Sequence, residues 1–367
     1  MDFSFSQEQQ MLQDSVGRYL QKNYDFDARQ TLVESDAPWS DNVWQQFAEL
    51  GLMALPFSED QGGLGGSTSD CVAFASAFGK HLVVEPYISS TLLAGAALAA
   101  SKNSTAQKWI GKLASGECIA ALAYEEGHGT ANLAQIEMIA QSDGDGFTLS
   151  GEKRLVIAGA EADISIVVAR ISGSDQIGLF LVEKNADGLE TRAYNTIDGR
   201  SAANLRFDQV PVVNDAVLLD DASNALEGVF ANAIIVQSAE AVGAMGALLE
   251  LTSEYAQTRK QFDVPIASFQ AVAHRLADMK IAYSKALATL TYTTALAEYG
   301  SLTARDIAVL KGQVGKLGRA IGEASIQTHG GVGMTDELSV SHYHKRLLAY
   351  DAQLGDHFYH LRMLGQR

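Results

Sequence analysis

The chain has 367 residues, of which 47% are hydrophobic and 19% charged, and its formal net charge at pH 7 is −17. This length is more than one compact hydrophobic core serves, and it predicts two or three domains. The negative charge excludes a nucleic-acid or anionic-membrane surface, which would need a basic stripe, although a few local Arg or Lys side chains can still bind an anionic ligand.

The start of the sequence and its cysteines indicate where the protein works. The opening Met-Asp-Phe-Ser-Phe lacks the basic start and apolar core of a secretion signal, and no uncharged run is long enough to span a bilayer. Cys71 and Cys118 stand alone, without the spacing of metal ligands. We therefore expect buried thiols in a reducing cytoplasm, no metal site and no membrane partner.

The hydrophobic pattern changes period along the chain. It is helical to about residue 115, and it begins with Ser6 and Gln9 spaced as in a capping box. Short β-branched or alternating runs separated by turn signals then predict strands. These runs are 119–124, 136–141, 147–150, 164–169, 177–182 and 203–207. Strands at this spacing suggest an antiparallel barrel or sandwich.

From about residue 225 the pattern is helical again, in long segments. The predicted helices are 228–258, 268–298, 303–329 and 336–364, which together suggest a four-helix bundle. The sequence thus predicts an α+β protein with an N-terminal all-α domain at 1–115, a central β domain at 116–222 and a C-terminal helical bundle at 223–367.

A stretch near the end of the first long helix carries a candidate ligand contact. Residues 255–262 read Tyr-Ala-Gln-Thr-Arg-Lys-Gln-Phe, and 265–270 read Pro-Ile-Ala-Ser-Phe-Gln. Arg259 at a helix end offers a planar fork to a diphosphate, and Phe262 can cover an adenine or ribose. A surface Arg followed by a core Phe is the alternative for the short pattern alone.

A second stretch, 327–333, reads Gln-Thr-His-Gly-Gly-Val-Gly and follows a helical run. Glycines at this place permit positive φ and let backbone N–H groups approach a phosphate. A plain helix C-cap explains the same residues when they are taken alone.

Together the two stretches resemble the cofactor-binding signatures of the acyl-CoA dehydrogenase family. The predicted order of helical domain, antiparallel β-barrel and four-helix bundle is also that family's order. The resemblance covers nearly the whole chain and implies FAD-dependent α,β-dehydrogenation of an acyl-CoA, with an electron-transfer flavoprotein as acceptor. The residues it implies to contact an FAD held mostly by a neighbouring subunit are Arg259, Gln261, Phe262, Gln270, Gln327, Gly330 and Gly331. Residues 24–29 and 354–356 are similar to the two-subunit branches that act on pimeloyl-CoA and steroid side chains.

The general base that the resemblance implies is missing from both of its usual places. A family member removes the α-proton of the thioester with a Glu, and the two usual Glu positions fall on Leu354 and Ala233. Neither side chain can accept a proton. Glu240 lies two helical turns after Ala233 on the same face, among apolar residues that would raise its pKa. It is the candidate base, and a Glu paired at a helix or subunit interface is the alternative.

The segment that the resemblance places against the flavin is also altered. The family's Thr-Glu-Pro motif corresponds to Glu125, Glu126 and Gly127, and its flavin-covering Trp and Thr correspond to Leu155 and Ile157. Two carboxylates near a diphosphate would repel it unless another group screened them. The chain therefore retains the residues that it would lend to a neighbour's FAD and has altered those of its own site.

Three functions remain open. The chain is a subunit that shares the FAD site of a related catalytic chain in a heterotetramer. Alternatively, it is a self-sufficient homo-oligomeric dehydrogenase with a relocated base such as Glu240. In the third case it is a binding or structural subunit that retains an acyl-CoA pocket without flavin. The hydride chemistry belongs to the FAD, so activity requires that cofactor in the first two cases.

Overall fold

The structure is a computed structural model that describes residues 4–35, 37–129, 131–144 and 146–365. These residues form two compact units. The first combines residues up to 31, residues 68–83 and residues from 234 onwards, and the second combines 32–67 and 84–233. The predicted domain limits at 115 and 222 follow the change of element type instead, and they stay a prediction.

The helices and strands are numbered in chain order. The α-helices are α1 (Gln7–Asn23), α2 (Phe26–Glu34), α3 (Asp41–Glu49), α4 (Thr68–Lys80), α5 (Gly95–Ala99), α6 (Ser104–Ala114), α7 (Ser223–Thr258), α8 (Gln270–Glu298), α9 (Ala304–His329), α10 (Ser339–Ala352) and α11 (His357–Gly365). The strands are β1 (Ala120–Ala123), β2 (Ile139–Ser142), β3 (Gly146–Ile157), β4 (Ile164–Ile171), β5 (Ile177–Glu183), β6 (Leu189–Asn195), β7 (Ser201–Val213), β8 (Val217–Leu219), β9 (Lys260–Gln261) and β10 (Val264–Pro265). The predicted α+β architecture of N-terminal helices, central sheet and C-terminal helical bundle is confirmed.

The first helix begins as its sequence predicts. The hydroxyl of Ser6 accepts a hydrogen bond from the backbone N–H of Gln9 at 3.2 Å, and the side chain of Gln9 accepts one from the backbone N–H of Ser6 at 3.0 Å. Two of the otherwise unpaired donors at the helix start are satisfied in this way.

The central sheet lies in the second unit. Its strands follow the order β6-β7-β3-β2-β4-β5-β8, and β1 pairs with β4. Most neighbours are antiparallel, as predicted, but β1 and β2 each pair with β4 in parallel. The prediction missed β6 and β8. Strand β6 is exposed along almost its whole length and therefore carries no alternation of buried and exposed residues.

The helical bundle packs through small residues in the first unit. A Cβ on Gly243 of α7 would clash with the carbonyl oxygen of Ser76 in α4. A Cβ on Gly318 of α9 would lie 3.2 Å from the side chain of Leu347 in α10. Gly243 therefore lets the backbone of α7 approach that of α4 closely.

Helix α7 is apolar along much of its length. Among the described residues it is the helix that is long and apolar enough to cross a membrane, with a mean hydropathy of 1.4 over its most apolar window. Of that window, 72% is buried inside the protein. This burial is what a core helix of a bundle requires.

The predicted helix 336–364 is wrong as a single element, because the chain breaks it into α10 and α11. At the break, Leu354 and Gly355 adopt left-handed backbone angles, with φ of 54° and 89°. The carboxylate of Asp356 then accepts a hydrogen bond of 2.7 Å from the backbone N–H of Tyr359 and starts the second helix. We call residues 353–356 the α10–α11 corner.

Candidate cofactor surface and altered catalytic positions

A tight hairpin follows α7 and carries the first predicted cofactor residues. Strands β9 and β10 pair antiparallel, and the turn between them consists of Phe262 and Asp263 with φ of 52° and 64°. Two left-handed residues in a two-residue loop are the pattern of a type I′ turn, which usually contains Asn or Gly. Placing a Phe there costs about 1 kcal/mol. Backbone strain of this kind is concentrated at ligand-binding and active sites in proteins.

The side chains of this hairpin face solvent. Phe262 is 88% exposed, and its ring meets the ring of Phe269 edge to face, with centroids 6.2 Å apart. Arg259 is exposed, and its guanidinium makes no ion pair or hydrogen bond within the part of the chain that the structure describes. Gln261 and Gln270 are exposed as well. The guanidinium of Arg259 and the ring of Phe262 are therefore both accessible to a ligand or to another chain.

The second predicted stretch lies where α9 ends. Gly330 has φ of 68° and ψ of −145°, which side-chain-bearing residues rarely adopt. A Cβ on Gly331 would meet no atom within 4 Å, so the chain's own packing does not require a glycine there. Gln327, Gly330 and Gly331 are all exposed. The open space leaves the backbone of this turn accessible to another molecule.

An aromatic stack joins the two stretches. The rings of Tyr255 and His329 are stacked, with centroids 4.3 Å apart and planes at 24°. His329 Nδ1 lies 2.9 Å from the carbonyl oxygen of Ser325, and burial lowers the pKa of His329, which keeps the ring neutral at pH 7. The stack holds the end of α7 against the end of α9. We call the exposed set that it supports the cofactor surface, and its members are Arg259, Gln261, Phe262, Gln270, Gln327, Gly330 and Gly331.

Glu240, the candidate base, lies in a buried ion pair. Its Oε1 accepts a hydrogen bond of 2.5 Å from Nη1 of Arg346, and the two side chains are 4% and 2% exposed. Arg346 Nη1 also donates to the carbonyl oxygen of Val83 at 2.9 Å. A general base must reach the α-carbon of a substrate, whereas this carboxylate is enclosed with a guanidinium. The geometry favours the ion-paired alternative for Glu240.

The two usual positions of the base are apolar and buried. Leu354 is 1% exposed and stands in the α10–α11 corner, where its carbonyl oxygen lies 2.9 Å from Nε2 of His360. Ala233, in the second unit, has no exposed surface. Neither residue has a group that can accept a proton from a carbon acid.

A buried polar network that the sequence did not reveal holds the α10–α11 corner. The ammonium of Lys311 in α9 donates to the carbonyl oxygens of Tyr350 and Asp351 at 2.8 and 3.0 Å, at the end of α10. The carboxylate of Asp351 lies 2.7 Å from Nδ1 of His357. Burial lowers the pKa of Lys311 to about 7, although the Asp351 charge opposes this shift. The one signal in the sequence is a lysine inside an apolar helical face.

In the second unit, Glu125 fills a small anion site made by its own backbone. Its Oε1 accepts hydrogen bonds from the N–H groups of Glu126, Gly127 and Gly129 at 3.1, 2.8 and 2.9 Å. Successive N–H groups that converge in this way form a nest for an anion. The residue is 7% exposed, so the chain already uses these three donors.

The neighbouring Glu126 is also turned inward. Its carboxylate accepts a hydrogen bond of 2.6 Å from the ammonium of Lys153 and others from the N–H groups of Glu137 and Met138 at 2.7 and 3.1 Å. Lys153 has no exposed surface, and burial lowers its pKa to about 8 despite the opposing Glu126 charge. Lys153 therefore screens one of the two carboxylates that the sequence places in this segment.

The fit of an FAD differs between the two sets of residues. The cofactor surface offers a free guanidinium, an exposed ring and an accessible backbone, which suit a diphosphate and an adenine. The segment around Glu125 does not fit a diphosphate, because a carboxylate occupies its donors. Leu155, at the place of the flavin-covering Trp, has φ of 48° and donates its N–H to Tyr194 at 3.2 Å.

One group of possible metal ligands lies in the same segment. Donor atoms of Glu126, His128 and Glu137 lie within 4.8 Å of one another. The ammonium of Lys153 already binds Glu126 and would repel a cation there. We assign no metal to this group.

Comparisons with known proteins agree with this fold and its motifs. Models of the N-terminal, middle and C-terminal domains of acyl-CoA dehydrogenases match residues 6–117, 120–210 and 224–367. Acyl-CoA dehydrogenase FadE27 of Mycobacterium tuberculosis is 27% identical over 100% of this chain and 98% of its own. Acyl-CoA dehydrogenase IpdE2 of the same organism is 30% identical over 93% of this chain and 91% of its own.

Solved structures give the same result. The crystal structure of the ChsE4-ChsE5 complex from Mycobacterium tuberculosis superimposes with a TM-score of 0.90 at 26% identity, covering 100% of this chain and 98% of that one. The FAD complex of PigA superimposes with a TM-score of 0.89 at 25% identity, covering 100% and 99%. The helical, β and bundle domains thus define an oxidoreductase fold of the class that acts on CH–CH bonds. The chain belongs to the acyl-CoA dehydrogenase family.

Proposed function

We propose that this chain is a subunit of an FAD-dependent acyl-CoA dehydrogenase, and that it shares the FAD site of a related partner chain. One observation carries the proposal. The residues of the cofactor surface are exposed, and among the described residues the guanidinium of Arg259 has no partner, whereas the chain's own nest at Glu125 is filled and its usual base positions are apolar.

Different residues of the cofactor surface contact different parts of FAD. The fork of Arg259 pairs with the diphosphate, and the exposed ring of Phe262 covers the adenine. The backbone of Gly330 and Gly331 approaches the adenosine end, where a Cβ would take up space. When bound, FAD supplies the acceptor for the β-hydride of the acyl-CoA. This chain's part is to bind and orient the cofactor.

The partner supplies what this chain lacks. The ChsE4-ChsE5 complex, which is named for two different chains, supports an assembly of two related chains for this protein as well. In such an assembly the partner provides the Glu that removes the α-proton and the residues that surround the flavin ring. We propose an electron-transfer flavoprotein as the acceptor of the electrons, on the strength of family membership.

The two alternative functions agree less well with the structure. A self-sufficient enzyme that used Glu240 would first have to release it from Arg346 and expose it to the substrate. A flavin-free acyl-CoA-binding subunit would have no use for the strained and exposed Phe262 or for the unpaired Arg259. The subunit that lends its cofactor surface accounts for both features.

The test uses the complex that an affinity-tagged copy of this chain retains when it is purified from its native host. Arg259→Ala removes a charge-assisted pair with the diphosphate, worth about 1.5–3 kcal/mol, and we expect FAD retention to weaken by about tenfold or more. The neighbouring Lys260→Ala removes an exposed cation outside the predicted set and serves as the control. Equal FAD content in the Arg259→Ala complex and the wild type would contradict the proposal.

A further inference from the structure

The helical unit contains a cavity of about 580 Å³ between α1, α4, α7 and α8 that the proposed function does not use. Sites for small molecules typically enclose 300–1,000 Å³. The structure describes every residue of the cofactor surface and of the α10–α11 corner, and none of them lines this cavity. The cavity is therefore separate from the proposed FAD site, and an inference about it does not depend on the proposed function.

The cavity has a closed floor and an open rim. Its floor contains Ala239 and Val242 of α7 and Leu290 of α8, which are 0%, 3% and 5% exposed. At its rim, Leu287 and Tyr299 are 40% and 59% exposed. The floor is fixed because Gly243 lets α7 touch the backbone of α4 at Ser76. A ligand could enter at the rim and place an apolar group on this floor.

Polar groups cluster at one end of the cavity. The Gln9 side-chain amide donates to the Ser69 hydroxyl at 3.0 Å, and that hydroxyl donates to Oε2 of Glu298 at 2.6 Å. Gln9 also donates to the carboxylate of Asp70 at 2.9 Å. This chain of hydrogen bonds ties α1, α4 and α8 together. It fixes the carboxylate of Glu298 at the edge of the cavity, where that carboxylate can accept a further hydrogen bond.

The charged side chains that line the cavity indicate which kind of ligand can bind there. Glu298 is the one charged side chain among the described lining residues, which include no Lys, Arg or His. Polyanions such as coenzyme A or FAD would meet a carboxylate and no cation, and repulsion would exclude them. A neutral or singly cationic molecule with a hydrogen-bond donor fits the polar end, and an apolar body fits the floor.

We propose that this cavity binds a small amphipathic molecule whose hydroxyl or ammonium head donates to Glu298 and whose apolar body lies against Val242 and Leu290. The ligand differs in class from the acyl-CoA and the FAD of the dehydrogenase reaction. Its head group is uncharged or positive, whereas both of those molecules carry phosphates.

The experiment compares three ligands of equal chain length by calorimetric titration of the full chain. Octanol and octylamine carry donor heads, and octanoate carries an anionic head of similar size. We expect saturable binding of one octanol or octylamine per chain and none of octanoate. Glu298→Gln should weaken the binding of octylamine about threefold, because Glu298 is exposed and solvent screens its attraction to the ammonium.

A matched pair of variants locates the site. Thr291→Trp places an indole in the cavity, whereas Tyr292→Trp changes the next residue, which is 49% exposed and does not line the cavity. Thr291→Trp should abolish binding and Tyr292→Trp should preserve it. Leu287→Trp at the rim replaces the first variant if circular dichroism shows that Thr291→Trp is misfolded. Absence of saturable binding, equal binding of octanoate, or full binding by the blocked variant would overturn the proposal.

Discussion

Glu240 and Arg346 form a buried ion pair across the helical bundle, although 106 residues separate them in the sequence. The guanidinium also donates to the carbonyl oxygens of Leu82 and Val83, just beyond α4. One arginine of α10 thus holds both α7 and the end of α4. The pairing favours a structural role for Glu240 over that of a base.

Glu240→Gln should therefore destabilise the protein. Removing the carboxylate charge takes away the Glu240 side of a buried pair, and breaking such pairs costs about 3–5 kcal/mol. The free energy of unfolding in urea measures this loss. Glu254→Gln, at an exposed position of the same helix, is the control and should change stability by less than about 0.5 kcal/mol.

A double variant sharpens this test. Glu240→Leu combined with Arg346→Met removes both charges, and it should cost less than the sum of the two single changes. The opposite result would be a Glu240→Gln variant that unfolds at the same urea concentration as the wild type but has lost dehydrogenase turnover. That result would make Glu240 a base and its pairing with Arg346 incidental.

Alanine substitutions at Gly331 and at Gly333 should have different effects on stability and on FAD retention. Gly331 lacks the left-handed φ of Gly330, and a Cβ there meets no atom within 4 Å. A Cβ on Gly333 would lie 2.9 Å from Cβ of His329. Gly331→Ala should leave the melting temperature unchanged and weaken FAD retention in the complex by about tenfold, the effect of about 1.4 kcal/mol of overpacking against the cofactor.

Gly333→Ala is the matched comparison, because it should lower the melting temperature through the clash with His329. FAD absorbance per chain after gel filtration and a thermal melt give both readouts on the same sample. Undiminished FAD retention in the Gly331→Ala complex would remove this turn from the cofactor surface.

Glu125 should stabilise its loop through the nest that it fills. Glu125→Ala removes the charged acceptor of three N–H groups, and we expect a loss of about 2 kcal/mol because hydrogen bonds to charged groups contribute about 1.5–3 kcal/mol. Amide hydrogen exchange at Glu126, Gly127 and Gly129 should accelerate together. Exposed Glu137→Ala is the control, and equal exchange rates in the two variants would show that the carboxylate does not hold these amides.

His360 should make the protein sensitive to acid. Burial lowers the pKa of His360 from 6.5 to about 4. The unfolded chain therefore binds a proton between pH 6.5 and 4 that the folded chain does not. The free energy of unfolding falls as the pH falls through this window, by up to about 1.4 kcal/mol per pH unit.

His360→Gln is the variant that isolates this contribution, since its amide can still donate to the carbonyl oxygen of Leu354. Burial also lowers the pKa of His81, His342 and His344, so the useful quantity is the difference between wild type and variant. We expect the variant's stability to fall less steeply between pH 6.5 and 4. Parallel curves would contradict the assignment to His360.

Local sequence signals predicted the elements that depend on neighbouring residues. The capping box at Ser6 and three of the four predicted bundle helices follow from short-range spacing, and the structure has them. The strand β6 was missed because six of its seven residues are exposed and carry no pattern. The break at Leu354 was missed because a leucine with φ of 54° contradicts the local preference for a continued helix.

In the candidate site, too, some features could be predicted from the sequence and others could not. The resemblance placed the cofactor residues, and their exposure makes them available to a second chain. The partners of Glu240 and Glu126 could not be read from spacing, because Arg346 and Lys153 meet them only after the chain has folded. A buried charge on an apolar helix is the signal that a paired group exists, but it does not identify the partner.

The central claim is that this chain lends its cofactor surface and holds no flavin of its own. Its most direct test is the ratio of FAD to protein, read from visible absorbance after gel filtration, for the chain expressed alone and for the complex with its partner. We expect a colourless isolated chain and a complex that contains FAD. A full complement of FAD in the isolated chain would contradict it and would show that the segment around Glu125 opens to accept the cofactor.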